Sequence, residues 1–139
     1  MALTFTYERE VGGIARVIAA WTSDGSGDAS GTTAVRVCGR LVKATTDPGS
    51  AAPTDNYDIT ITDDEGVNVL TACQSSLLNR DTANSEEVYF LVLDAAGTAL
   101  AQSVHPVVCS ALTFTVANAG ASKTGQIILY VQGALDGAF

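Results

Sequence analysis

Nucleophilic catalysis needs a nucleophile, a base and a group that orients the base. The chain has one histidine, His105, which could be combined on paper with Cys73 or Cys109 and an aspartate. No local motif joins them, and His105 stands directly before Pro106, which favours an extended backbone at the start of a strand. Paired carboxylates are also present. Asp63-Asp64-Glu65 are consecutive in a turn, so their side chains point apart, whereas a glycosidase holds two carboxyls roughly 5 to 9 Å apart across a cleft. Asp24-Gly25-Ser26-Gly27-Asp28-Ala29-Ser30-Gly31 invites calcium, but it lacks the ligand spacing and closing glutamate of an EF-hand. It reads as a mobile loop that crosses between two sheets. No glycine-rich phosphate loop precedes a helix. The expectation is a protein with no catalytic residues, no cofactor and no metal.

The remaining chemistry-bearing residues point the same way. Cys38, Cys73 and Cys109 are odd in number and widely spaced, with no CxxC, which suits neither a disulfide framework nor a zinc site. Three reduced, mostly buried thiols are expected. Seven Lys and Arg are scattered among fifteen acidic residues, giving a net charge of −8 and a pI near 4.3. Such a field repels phosphate backbones and anionic lipid, so neither nucleic acid nor membrane is an expected partner. The apolar runs also fall short of the ~20 residues that span a bilayer. The amino terminus lacks the basic start and apolar stretch of a secretion signal, and is read as a first strand made in the cytoplasm.

The elements that carry these residues are strands. Tyr57, Ile59 and Ile61 alternate with Asp58, Thr60 and Thr62, the period-two pattern of a half-buried strand that ends at Asp63-Asp64-Glu65-Gly66. Leu3, Phe5 and Tyr7 alternate likewise, and so do Leu112, Phe114 and Val116. Ile127, Leu129 and Val131 share one face of the last run while Ile128 and Tyr130 take the other. Ile14 to Thr22 is apolar on both faces apart from Arg16, as in a strand covered on both sides. From Thr33, Val35, Val37 and Leu41 face one way, and Arg36, Cys38, Arg40 and Val42 the other. Arg36 and Arg40 are either solvated charges or half of an intersubunit ion pair. The prolines and glycine of Thr45 to Pro53 exclude regular pairing there. Val88 to Leu93 should lie in the core, and one helical turn is allowed within Ala72 to Ser85.

About eight short strands with Gly-, Asp-, Asn- and Ser-rich loops predict an all-β chain: residues 1–139 as a single antiparallel β-sandwich, a jelly roll. At this length a domain buries roughly two thirds of its unfolded surface and needs no staples.

Three stretches carry a resemblance: Tyr57 to Val67, Asn79 to Glu86, and Leu112 to Gly120 with Lys123-Thr124-Gly125. Over roughly Asp55 to Gln132 the chain resembles the jelly-roll cement proteins of short-tailed bacteriophages. The resemblance implies a non-enzymatic virion protein that binds the outer face of the icosahedral head as a homodimer and clamps neighbouring capsomers of the major capsid protein. It supplies no motif for individual contact residues. From the residues themselves, the expected contacts are the Met1 to Arg9 arm with Leu3, Phe5, Tyr7 and Arg9, the Ala72 to Ser85 loop with Leu77, Leu78 and Arg80, and the tail with Leu135 and Phe139. Two alternatives compete: another virion part at the head completion or tail position, and a carbohydrate- or calcium-binding sandwich module.

Overall fold

The computed structural model describes residues 3–100, 102 and 104–137. Among the described residues nine strands form, all paired antiparallel: β1 Leu3–Val11, β2 Ile14–Thr22, β3 Ala29–Thr32, β4 Arg36–Pro48, β5 Asp58–Thr62, β6 Glu86–Tyr89, β7 Val107–Ser110, β8 Thr113–Ala117 and β9 Thr124–Asp136. The larger sheet runs β1-β2-β9-β4-β6, with β7 pairing the other half of the same β4 edge, and the smaller runs β3-β8-β5. Buried residues of both sheets join in one core. Trp21 of β2 packs on Tyr57 with ring centroids 5.3 Å apart, and Phe5 of β1 meets Phe114 of β8 edge-on at 5.5 Å. Such aromatic contacts add to the area they bury.

The alternations hold where β-branched residues mark a face. Ile59, Ile61, Phe114, Val116, Ile127, Leu129 and Val131 are all buried. Elsewhere the structure corrects the expectation. The count is nine because Ala29–Thr32, inside the stretch expected to be a mobile loop, pairs as β3 with β8; its Ser-Gly-Thr composition carries no strand signal. β4 does not stop before its proline but pairs as far as Pro48 opposite Gly125. Val42 stays on the side of Arg36 and Arg40, but the alternation breaks directly after it. The β4–β9 register shifts between Leu41 and Lys43, so Val42 is the extra residue of a bulge and Lys43 takes the outward position. The run Val88 to Leu93 leaves the sheet after Tyr89; Val88 and Phe90 are buried while Tyr89 is exposed. No helix forms in Ala72 to Ser85. The thiol expectation is also overturned: Cys38 and Cys109 lie directly opposite across β4–β7 and are joined by a disulfide, leaving Cys73 as the free cysteine.

The aspartates of the turns are consumed by the backbone. At Asp24, Asp63 and Asp94 one carboxylate oxygen accepts the amides two and four residues on, at 2.8 and 3.1 Å, 3.0 and 3.0 Å, and 2.9 and 2.8 Å respectively. The residue three on is Gly27, Gly66 or Gly97, with φ between 79° and 86°. The repeated Asp-x-x-Gly thus closes a tight turn each time, and the Asp24 loop is an ordered turn. Among the described residues no group of three or more His, Cys, Asp or Glu is placed to hold a metal.

These bonds make an acid sensitivity. Backbone amides of Asp28 and Ser26 hold the Asp24 carboxyl below its usual value, and those of Ala83 and Asn84 do the same for Asp81. A carboxyl depressed in the folded state contributes stability that is complete above its unfolded pKa of about 3.9 and fades as pH falls through the folded value. The thermal midpoint should therefore hold from neutrality to about pH 4 and drop below it. Asp24→Ala/Asp81→Ala should drop less steeply on acidification, as differential scanning fluorimetry will read.

Candidate partner-binding face

Burial alternates along β2: Ala15, Val17, Ala19 and Trp21 face the core. Ile14, Arg16, Ile18, Ala20 and Thr22 therefore face the other side of the large sheet, which the small sheet does not cover. The registers line these residues up in rows across five strands. One row is Glu8, Arg16, Tyr130, Lys43 and Tyr89. The next is Thr6, Ile18, Ile128, Thr45 and Glu87, and on the far side lie Ile14, Gln132, Arg40 and Val107.

The first row is a continuous electrostatic ladder. Arg16 Nε donates to Glu8 Oε1 at 2.6 Å, and its guanidinium lies 5.8 Å from the Tyr130 ring centre. Lys43 Nζ lies 4.6 Å from Tyr130 and 5.5 Å from Tyr89, and pairs with Glu87. The Arg16 hydrogen bond pulls the Glu8 carboxyl below its usual range, and Glu87 pushes the Lys43 ammonium up. Each cation is thereby held charged over a tyrosine face, whose quadrupole attracts it. Four of the seven basic residues, Arg16, Arg36, Arg40 and Lys43, point to this side. Glu8, Asp47, Glu87 and Asp136 oppose them there, four charges against four, so the face is neutral while the net −8 lies on the rest of the molecule.

Apolar side chains are interleaved with the charges. Tyr89 and Val107 are 51% and 72% exposed, and Ile14, Ile18, Ile128 and Tyr130 are half-buried. Such a flat surface offers aromatic and aliphatic anchors beside already paired ions, the composition of a protein–protein contact. His105 Nδ1 meets the Phe90 carbonyl at 2.6 Å.

The residues expected from the sequence fall in different environments. Leu3, Leu77 and Leu135 are buried at 9%, 0% and 7% and belong to the core cluster. Phe5 and Tyr7 pack against that core with rings 6.1 Å apart, and Tyr7 Oη accepts the Ala34 amide at 2.8 Å. Arg9 is exposed and, with Glu10, Ala134 and Leu135, lines a shallow groove. Leu78 is exposed. Arg80 donates to the Leu78 carbonyl at 2.9 Å and lies 3.4 Å from Glu86, whose other contact is the Asp81 amide. That network is local to the chain. Phe139 lies outside the described residues. The structure thus brings Arg9 and Leu135 together and separates them from Leu78 and Arg80.

Tyr130, Lys43, Ile18, Ile128, Tyr89 and Val107 were not among the expected contacts. For Ile18, Ile128 and Tyr130 the signal was present in Ile14 to Thr22 and Gln126 to Gln132, both apolar on two faces; β2 and β9 are neighbours in the sheet, so the surplus apolar faces add into one patch, which Lys43, Tyr89 and Val107 join only through the pairing of β4. No protein-family model matches the chain, and no curated protein matches its sequence. No helix among the described residues is long and apolar enough to cross a membrane.

Proposed function

We propose that the chain is a non-enzymatic bacteriophage virion protein that binds the outer face of the icosahedral head and stabilises it by clamping neighbouring capsomers of the major capsid protein. The observation that carries this reading is the uncovered, charge-balanced face of the large sheet on an otherwise acidic protein. The acidic remainder discourages contact with packaged nucleic acid, and the neutral face removes that penalty where a protein partner docks. The resemblance to phage cement proteins supplies the partner.

The strand arrangement supports the jelly-roll form of this reading. A jelly roll interlocks two Greek keys, so successive strands alternate between its sheets. β2, β4, β7 and β9 in one sheet with β3, β5 and β8 in the other follow that alternation. β6 departs from it by pairing with β4, and so does β1, which pairs with its successor β2 in the same sheet. As a homodimer, the protein gains from effective concentration: once one copy is seated, the second binds intramolecularly, so modest single contacts suffice.

The test is the solution mass of the purified protein together with its co-sedimentation with expanded, empty heads. A dimer that pellets with heads and raises the temperature at which they burst is the expected result. A protein that stays in the supernatant and leaves head stability unchanged overturns it.

A further inference from the structure

The disulfide joins a four-residue strand of the large sheet to the strand that is paired along both edges. β4 is paired along both edges, with β9 on one side and β6 and β7 on the other. β7 is four residues long and pairs with β4 alone, through Val37↔Ser110, Cys38↔Cys109, Gly39↔Val108 and Arg40↔Val107. The bond is reachable from solvent: Cys109 is exposed and Cys38 half-buried, both on the outer side of the sheet. The Arg36 guanidinium donates to the Cys109 carbonyl at 3.1 Å and lies 3.6 Å from its sulfur. A cation in that position stabilises a thiolate and makes the exchange easier.

We infer that the Cys38–Cys109 bond is a redox-controlled clasp: low-molecular-weight thiols open it and free β7 from the β4 edge, and a disulfide oxidant of the same class closes it, while β1, β2, β9 and β4 stay assembled. An external thiolate attacks one sulfur, forms a mixed disulfide and releases the other cysteine as a thiolate. When that cysteine is Cys109, Arg36 holds the charge. A second external thiol resolves the mixed disulfide. In sum two thiols are oxidised to one disulfide, and the protein gains two electrons and two protons as two Cys–SH. Closing reverses each step. Cys73 stays out of the exchange, since it is half-buried against Val92 and burial holds its thiol protonated.

Opening has local consequences only. It breaks the bond from the Leu41 amide to the Pro106 carbonyl, removes Val107 from the outer face and uncovers Val108 and Ser110. The β2–β9–β4 ladder makes no use of β7, so the row through Arg16, Tyr130 and Lys43 survives.

Hydrogen exchange on the full chain tests this, comparing the air-oxidised protein, the protein in dithiothreitol, and Cys38→Ser/Cys109→Ser. Thiol titration runs alongside. Titrated in denaturant, one thiol is expected before reduction, three after, and one again after oxidised glutathione. Protection of the amides of 107–110 should fall by about tenfold or more both in dithiothreitol and in Cys38→Ser/Cys109→Ser, with that of 15–19 and 127–131 changed by less than about twofold. Three thiols in the oxidised sample, unchanged protection at 107–110, or an equal loss across the whole sheet would each overturn the clasp.

Discussion

Gly133→Ala is expected to lower stability by about 3 kcal/mol or more, enough to leave much of the protein unfolded at 37 °C. Gly133 and Gly39 face each other in the β4–β9 register, with φ of 156° and 148°, in a region that L side chains rarely adopt. A Cβ on Gly133 would lie 2.2 Å from the Cys38 carbonyl oxygen and 2.7 Å from the Gly39 Cα. These obstacles are backbone atoms of the most extensively paired strands, so no side-chain rotation relieves the clash. Moving them would break the ladder that holds β7 and the disulfide. Gly39→Ala meets the Gln132 carbonyl oxygen at 2.3 Å and should behave alike. Gly25→Ala is the control, with nothing within 4 Å of its Cβ, and should stay within about 0.5 kcal/mol of the parent. Urea midpoints at constant m-value measure all three. Near-parental stability of Gly133→Ala would mean the two strands are not held this close.

The glycine pair shows what a sequence conceals. Gly39 and Gly133 are 94 residues apart, and neither has a local pattern to mark it; only the pairing of β4 with β9 gives each its reason. The disulfide is hidden in the same way. Cys38 and Cys109 are separated by 71 residues, and their opposition depends on β7 landing on one half of the β4 edge. β3 and the bulge at Val42 escaped because Ser-Gly-Thr has no period, and because an inserted residue inverts the faces after it. What was legible was whatever depends on nearest neighbours. The alternating strands were, and so was the turn at Asp63 to Gly66.

The candidate face lay between these cases. Ile14, Ile18, Ile128 and Tyr130 were visible as surplus apolar residues on strands whose other face already filled the core. Which side was the core depended on the second sheet. Leucines and aromatics of the terminal segments and of the Ala72 to Ser85 loop competed for the same role, and composition alone does not separate a Leu77 that belongs to the core from a Leu78 that meets water. Net charge misled slightly as well: a total of −8 says nothing of four cations gathered on one sheet.

Tyr130→Ala should cost head binding about 2 kcal/mol or more, roughly thirtyfold in affinity, while the chain remains folded. Tyr130 is the centre of its row, with Arg16 on one side and Lys43 on the other, and it is the aromatic that both cations share. Its removal takes away the anchor and the ring over which both cations lie, so a docked partner would bury two cations that no aromatic face shields. Stability should suffer less, by about 1 kcal/mol, because the side chain is half-buried and points away from the core. Lys43→Glu should weaken binding similarly by a different route: it sets a carboxylate against Glu87 and turns a neutral face acidic. Thr115→Ala, on the outer side of the small sheet, should bind as the parent does. Sedimentation with empty heads over a range of protein concentrations, with urea unfolding of each variant, separates lost contact from lost fold. If Tyr130→Ala binds heads like the parent, the large sheet's face is not the contact. The search then moves to Leu78 and to the groove beside Arg9, the exposed parts of the segments first expected to meet a partner.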